Sequence, residues 1–127
     1  MDTTDTTPRI VRKTDPEASE TWLLMYAGDL LIGYADVIER GDEIWLAEIG
    51  VHPKHRGRGL ATVLLQAVVA EYAGAQIALS AEPYTPVLEN WPREEGLTAD
   101  TLAAWYSRHG FRAAPDEGSP RRMVRVP

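Results

Sequence analysis

The stretch Gly50-Val51-His52-Pro53-Lys54-His55-Arg56-Gly57-Arg58-Gly59-Leu60-Ala61 decides how the rest of this chain is read. Before it lies a run of β-prone residues, Glu43 to Val51. After it, Leu60, Val63, Leu64, Ala67 and Val68 recur at helical spacing. A strand therefore enters a glycine-bearing, basic turn that opens a helix. Such a junction aims several unsatisfied backbone N–H groups and the positive end of a helix at one point, which suits a phosphate. Two nucleotide motifs are excluded. No Gly-Lys-Ser/Thr follows, as a P-loop requires, and Thr62 stands where a dinucleotide fingerprint needs its third glycine.

Upstream, Thr21 to Ala27, Leu30 to Glu39 and Glu43 to Val51 are rich in Trp, Tyr, Val, Ile and Leu. The Gly28-Asp29 and Arg40-Gly41-Asp42 breaks between them supply the positive φ angles of hairpin turns, so the three runs read as an antiparallel meander. Ile10 to Lys13 reads as a short first strand, and the first nine residues, full of Thr and Asp, as a loose tail. Downstream, a helix from about Gly59 to Tyr72, ending near Gly74, leads to a strand from Gln76 to Ala81. Strand, helix, strand implies a parallel crossover packed on the meander.

The segment Glu82 to Leu97, with Pro83, Pro86 and Pro92 beside Tyr84 and Trp91, is long enough to be a functional loop. A second helix then starts at Thr98 as N-cap, with Asp100 in its first turn and Leu97 stapled to Leu102. It runs to His109 and stops at Gly110. Phe111 to Ala113 and Met123 to Val126 read as two last strands around the turn Pro115 to Pro120.

The 127 residues, 44% hydrophobic and 25% charged, have the composition of one globular domain spanning 1–127. The absence of cysteine removes disulfides, thiolate metal sites and cysteine nucleophiles together. His52, His55 and His109 lack metal-ligand spacing and no serine stands in a nucleophile setting, so neither a metal site nor a covalent acyl-enzyme is inferred. No apolar run has the length of a signal or a membrane span, and a cytoplasmic protein without a membrane partner is expected. The formal charge of −6 argues against broad nucleic-acid binding. A weaker nucleic-acid reading would use Arg108, Arg112, Arg121, Arg122 and Arg125. Between Thr14 and Pro53 nine carboxylates face a single base, Arg40, after which Lys54 to Arg58 carry three bases and a histidine. An acidic surface beside a basic one suits a chain that meets a cation and an anion.

Arg56-Gly57-Arg58-Gly59-Leu60-Ala61 resembles the R/Q-x-x-G-x-G/A acyl-CoA-binding motif of the GNAT N-acetyltransferases, and Tyr106-Ser107-Arg108-His109-Gly110-Phe111 resembles that family's late Tyr-x-x-x-Gly-Phe. The resemblance implies an α+β GNAT fold, a mixed and mostly antiparallel sheet whose central parallel strands splay apart. It implies acetyl-CoA as cofactor and an amine acceptor as partner. By the same resemblance Ile49, Gly50 and Val51 hold the pantetheine arm. The amides from Arg56 to Ala61, with the Arg56 and Arg58 side chains, hold the pyrophosphate, and Gly57 and Gly59 leave room for its oxygens. Between the first two strands only Thr14 to Glu20 is available, so the helices the family places there are shortened or missing. Either the acceptor site is open, or the Glu82 to Leu97 loop or a second subunit of a homodimer closes it. The missing helices, and Ala99 where many members carry an asparagine, keep a catalytically silent acyl-CoA-binding module as the alternative.

Transfer to an amine needs the amine neutral. With a lysine-like pKa of about 10.4 that costs about 4 kcal/mol near neutrality, so a base is required. Strict alternation from Glu43 to Val51 would put Ile44, Leu46, Glu48 and Gly50 on one face, with Glu43 on the other. Glu48 is then a lone acid on an apolar face close to the splay and the preferred base, its pKa raised by burial; Glu43 is the rival. The resemblance assigns Tyr106 the role of proton donor to the leaving thiolate. Trp22, Trp45 and Trp105 read as core, while Tyr84 and Trp91 are candidate acceptor contacts.

Overall fold

A computed structural model of the chain describes residues 7–55, 58–82 and 98–127. Its elements are β1 (Arg9–Asp15), β2 (Glu20–Ala27), β3 (Leu30–Arg40), β4 (Glu43–Val51), a 3₁₀ turn (Pro53–His55), α1 (Leu60–Glu71), β5 (Gln76–Ser80), α2 (Ala99–Ser107), β6 (Arg112–Ala113) and β7 (Arg122–Arg125). The strands form a seven-stranded sheet in the order β1-β2-β3-β4-β5-β7-β6. The meander has four strands rather than three. β1 pairs along its whole length with β2, from Arg9 opposite Tyr26 to Asp15 opposite Glu20. Gly28 and Gly41, at φ +60° and +64°, make the next two turns, as the Gly-Asp pairs require.

β1 and β2 are joined directly by residues 16–19, where the Asp15 carboxylate accepts from the Glu17 and Ala18 amides at 3.1 and 3.4 Å. No helix lies between these strands. The strand and the tail divide earlier than the sequence indicates, since Arg9 already belongs to the sheet; the rest of the tail, residues 1–6, lies outside the described residues.

α1 buries Leu60, Leu64, Leu65 and Val68 against one face of the sheet; of the stripe expected from the sequence Val63 is exposed, and Leu65 is buried in its stead. The core there also holds Leu23, Met25, Ala35, Val37, Ile44, Leu46, Val51, Ile77 and Leu79. α2 joins the same layer: Tyr106 and Phe111 belong to this core, and the Trp105 indole N–H donates to the Thr62 hydroxyl at 3.2 Å. Thr98 caps α2 as expected, its hydroxyl accepting from the Thr101 amide at 3.2 Å. Leu97, the other half of the expected staple, lies outside the described residues. Gly110, at φ +91°, ends the helical stretch. The Gly110 and Phe111 amides return to the Ser107 and Tyr106 carbonyls, the paired bonds of a Schellman ending.

The strand carrying the motif departs from strict alternation. β3 and β4 pair Tyr34 with Gly50, Ala35 with Ile49 and Asp36 with Glu48, but Val37 then meets Leu46. Ala47 is left over as a β-bulge, and a bulge exchanges the two faces of a strand. Ile44 and Leu46 therefore face α1, whereas Glu48 and Gly50 point to the opposite side with Tyr34 and Asp36. The expectation that Ile44, Leu46, Glu48 and Gly50 share a face is corrected, and Glu43 stands on the same side as Glu48. Trp22 and Trp45 are likewise outside the α1 core: half-buried, Trp22 lies 5.8 Å from the Tyr34 ring and Trp45 lies 4.6 Å beneath the Arg40 guanidinium.

Candidate active site

The parallel ladder between β4 and β5 is short. Glu43, Ile44 and Trp45 pair with Gln76, Ile77 and Ala78, and beyond Trp45 the two strands part. Ile49, Gly50 and Val51 lie in the stretch of β4 past this fork, on the way to the 3₁₀ turn and α1. Gly50 sits beneath Tyr34, whose ring atoms would come within 3.1 to 3.3 Å of a Cβ placed there. The glycine thus keeps β4 flat against the aromatic ring at the fork.

At the far end of the turn, Gly59 is the N-cap of α1 at φ +74°, with no side-chain cap. Its would-be Cβ meets nothing within 4 Å, so the backbone angle is what the position demands of glycine here. Leu60 and Ala61 open the helix with amides that have no intrahelical partner, and exposed Arg58 stands just before them. Arg56 and Gly57 lie outside the described residues. His52 is held by its own turn, its Nδ1 accepting from the Lys54 amide at 3.1 Å and its ring 6.0 Å from that of His55. Burial, then the charges of Arg58, His52 and Lys54, pushes the His55 imidazole below its ordinary value. Cations crowded enough to discourage a further charge make a place where an anion lowers the energy. The fork in the sheet and this helix opening, one after the other along the chain, fit an extended thiol cofactor ending in phosphates.

The carboxylates meet on the face away from α1. Asp36 and Glu48 are 9% and 8% exposed and stand directly opposite each other across β3 and β4. Glu20 pairs with Ile38, two residues along from Asp36, and its carboxyl hydrogen-bonds that of Asp36. Sequence reasoning missed both partners of Glu48. The signal was present in Asp36 as the acid within an apolar run, Leu30 to Ile38, but its alignment with Glu48 depends on the bulge. Burial first, then the hydrogen bond and charge of Glu20, then the charge of Glu48, push the Asp36 carboxyl up to about 7. Among the described residues no group of three or more His, Cys, Asp or Glu is arranged to hold a metal ion.

Glu43, the rival base, is at the closed end of the fork. Its Oε1 accepts from the Gln76 amide at 3.1 Å and pairs with the Arg122 guanidinium, which also donates to the Ala114 carbonyl at 3.3 Å. These contacts tie β4 to β5 and β7. Among the arginines of the nucleic-acid reading, Arg125 donates to the His109 carbonyl at 3.2 Å and Arg121 lies 3.6 Å from Asp100. Tyr106 is 3% exposed, its ring 4.9 Å from Trp105 and 5.6 Å from Phe111, and burial pushes its phenol well above the ordinary value. It sits on the α1 side of the sheet and Glu48 on the other, so the fork between β4 and β5 is the passage between them. Tyr84 and Trp91 lie outside the described residues. A groove of about 390 Å³ along α1, touching Gln66, Val69, Ala73, His109 and Arg125, shares no residue with this site.

A splayed parallel pair followed by a glycine-opened helix places this chain, by fold, in the GNAT class. The sequence profile of the family described as "Acetyltransferase (GNAT) domain" matches residues 18–113, and the chain belongs to that family, which uses acetyl-CoA as its acetyl donor. Over 89 residues it is 34% identical to the mycothiol acetyltransferase of Nocardiopsis dassonvillei, covering 70% of this chain and 27% of that protein. The chain thus spans about a quarter of the length of that curated relative. Among solved structures, a GNAT family acetyltransferase of Elizabethkingia anophelis with acetyl-CoA bound is similar at a TM-score of 0.69, with 14% identity over 97% of this chain and 99% of that one. The PaiA N-acetyltransferase of Thermoplasma acidophilum, in complex with coenzyme A, gives 0.62, with 15% identity over 88% and 64%. At these identities the likeness is one of fold. Among the described residues no helix is long and apolar enough to cross a membrane.

Proposed function

We propose that this chain transfers an acetyl group from acetyl-CoA directly to a primary amine of a small molecule or a protein, with Glu48 as proton acceptor and Tyr106 as proton donor. The observation that carries the reading is the bulge at Ala47, which turns Glu48 away from the apolar core and into the acidic face beside the fork. Acetyl-CoA supplies an activated acyl carbon with a good leaving group. Ile49, Gly50 and Val51 would hold its pantetheine arm, and the amides from Arg56 to Ala61, with Arg56 and Arg58, its pyrophosphate.

An acceptor ammonium is drawn to the face of Glu20, Asp36 and Glu48 by charge. Glu48 takes a proton from it, the freed nitrogen lone pair forms the C–N bond, and the C–S bond breaks. The departing sulfur takes its proton from the Tyr106 phenol, and the second nitrogen proton leaves to water, from which the phenol is restored. Burial keeps the Tyr106 phenol protonated at rest, so it first donates a hydrogen bond to the sulfur as negative charge develops there and then gives up the proton.

Release of CoA thiol across a panel of primary amines tests this. Wild type turns over at least one amine and Glu48→Gln loses most of the rate. Full rate in both Glu48→Gln and Tyr106→Phe would refute the assignment. The second reading is an acyl-CoA-binding module without turnover, favoured by the direct β1–β2 connection, which has no helix between these two strands. Calorimetric binding of acetyl-CoA with no amine consumed would establish it.

A further inference from the structure

Asp36 lies on β3 between Tyr34 and Ile38, across from Trp22, and is buried to 9% exposure. A carboxylate in such a place is costly unless it is neutralised or paired. Among the described residues no cation is paired with it. Its neighbours from the two flanking strands are Glu20 on β2, diagonally placed, and Glu48 on β4, directly opposite. Directly opposed side chains start about 5 Å apart and diagonal ones about 7–8 Å, within reach of a glutamate. Carboxyl groups this close and this shielded from water repel one another when all are ionised, so the cluster is lowest in energy with one proton held beside Glu48. Asp36 Oδ1 is meanwhile buried with no hydrogen-bond partner among the described residues.

We propose that Asp36 is a positioning residue for acetyl transfer: with Glu20 it holds one proton beside Glu48, and the departure of that proton switches Glu48 to its more effective state as a base. The proposal rests on Glu48 being the base. The titratable groups facing Asp36 among the described residues are Glu20 from β2, Glu48 from β4 and the phenol of Tyr34 on its own strand; α1 packs on the other side of the sheet. While the proton is held, three carboxyl groups carry two negative charges. After it leaves they carry three, which attracts an ammonium more strongly and, by reciprocity, helps Glu48 keep the proton it takes. The change is centred near the Asp36 value of about 7.

The first measurement needs no acceptor: carboxyl-carbon NMR of the full chain, titrated alone. Asp36 is expected to titrate near 7 in wild type and at least one pH unit lower, roughly, in Glu20→Gln. A wild-type midpoint near the ordinary aspartate value overturns the proposal. The second is the pH profile of kcat/KM with acetyl-CoA and whichever of cadaverine, spermidine, tyramine or glycinamide is turned over. Wild type should rise with a break near 7, Asp36→Asn should lose the break, and Glu20→Gln should move it to lower pH. A purely structural Asp36 would change the height of the profile and leave its shape. Glu48→Gln inactive, with an unaltered break in Asp36→Asn, overturns the positioning role alone. Glu48→Gln at full rate, or no amine consumed, overturns the reading beneath it.

Discussion

The two faces of this sheet are made from the same strands, yet they obey different rules. On the α1 side, Leu23, Met25, Ala35, Val37, Ile44 and Leu46 alternate into one apolar layer that the helix covers with Leu60, Leu64, Leu65 and Val68. On the other side the central positions are Trp22, Tyr34, Asp36, Glu48 and Gly50, aromatic and acidic, with two carboxyl groups under 10% exposed. Burial on the first face is favourable by itself, about 25 cal/mol per Å² of apolar surface. On the second face burial works against charge, and the strain appears as a carboxyl that holds its proton to about pH 7. The first face makes the fold stable, and the second holds the carboxyl groups to which the proposed function assigns the chemistry.

Exchanging damage between the faces is the sharpest way to break that division. Glu48→Gln keeps the shape of the side chain and removes the carboxylate proposed as base, so kcat should fall by roughly 10²- to 10⁴-fold, with the melting temperature and acetyl-CoA affinity nearly unchanged. Leu64→Ala, at a fully buried position of α1, should do the reverse. It should cost about 3 kcal/mol in a denaturant titration while the folded fraction keeps its turnover. If both variants lose stability and rate in parallel, the two faces are not separable.

Much of this was legible in the sequence where a short-range rule applied. The helical period of Leu60, Leu64 and Val68, the Gly-Asp turns, the Thr98 cap and the Gly110 stop all act within a few residues, and each stands where its rule puts it. The motif from Arg56 to Ala61 points to the family that the profile match shows, and by the same logic, because a glycine turn that opens a helix is a local construction. The acidic face was not legible, for a physical reason. One unpaired residue, Ala47, reverses the inside and outside of β4, and nothing in Glu43 to Val51 announces it, since either alternation buries several apolar side chains. Register is decided across strands, by Tyr34 packing over Gly50 and by Leu64 reaching Gly33, a would-be Cβ of which lies 3.0 Å from the leucine. Asp36 and Glu20 could be associated with Glu48 only after that register was known.

A smaller effect tests the hinge between the faces. Gly59 holds a left-handed angle at the mouth of α1 without a clash to prevent a side chain. Gly59→Ala should therefore cost only the conformational term, about 1–2 kcal/mol, in chemical denaturation. If the first amides of α1 hold the pyrophosphate as proposed, acetyl-CoA affinity should weaken by more than the stability change explains, because relief of the strain would rotate those amides. An unchanged dissociation constant would separate the helix opening from cofactor binding.

The smallest effect concerns stability alone and isolates the burden carried by the acidic face. The folded chain binds the Asp36 proton more tightly than the unfolded chain does, with the carboxyl raised from 3.8 to about 7. Between those pH values the native state therefore holds more protons than the unfolded one, and stability from this group falls as pH rises. Below about 4 its contribution is fully present, and above about 7 it is gone. Asp36→Asn keeps an amide donor for the Glu20 carboxylate and cannot ionise, so it should be indifferent to pH over this range. At about pH 8 it should be more stable than wild type, by about 1 kcal/mol once solvent screening of the pair is allowed for, and this advantage should disappear on acidification. Thermal melts of both proteins across the range measure it. A constant difference at every pH would assign the effect to packing, and the acidic face would then carry no stored charge for Glu48 to draw upon.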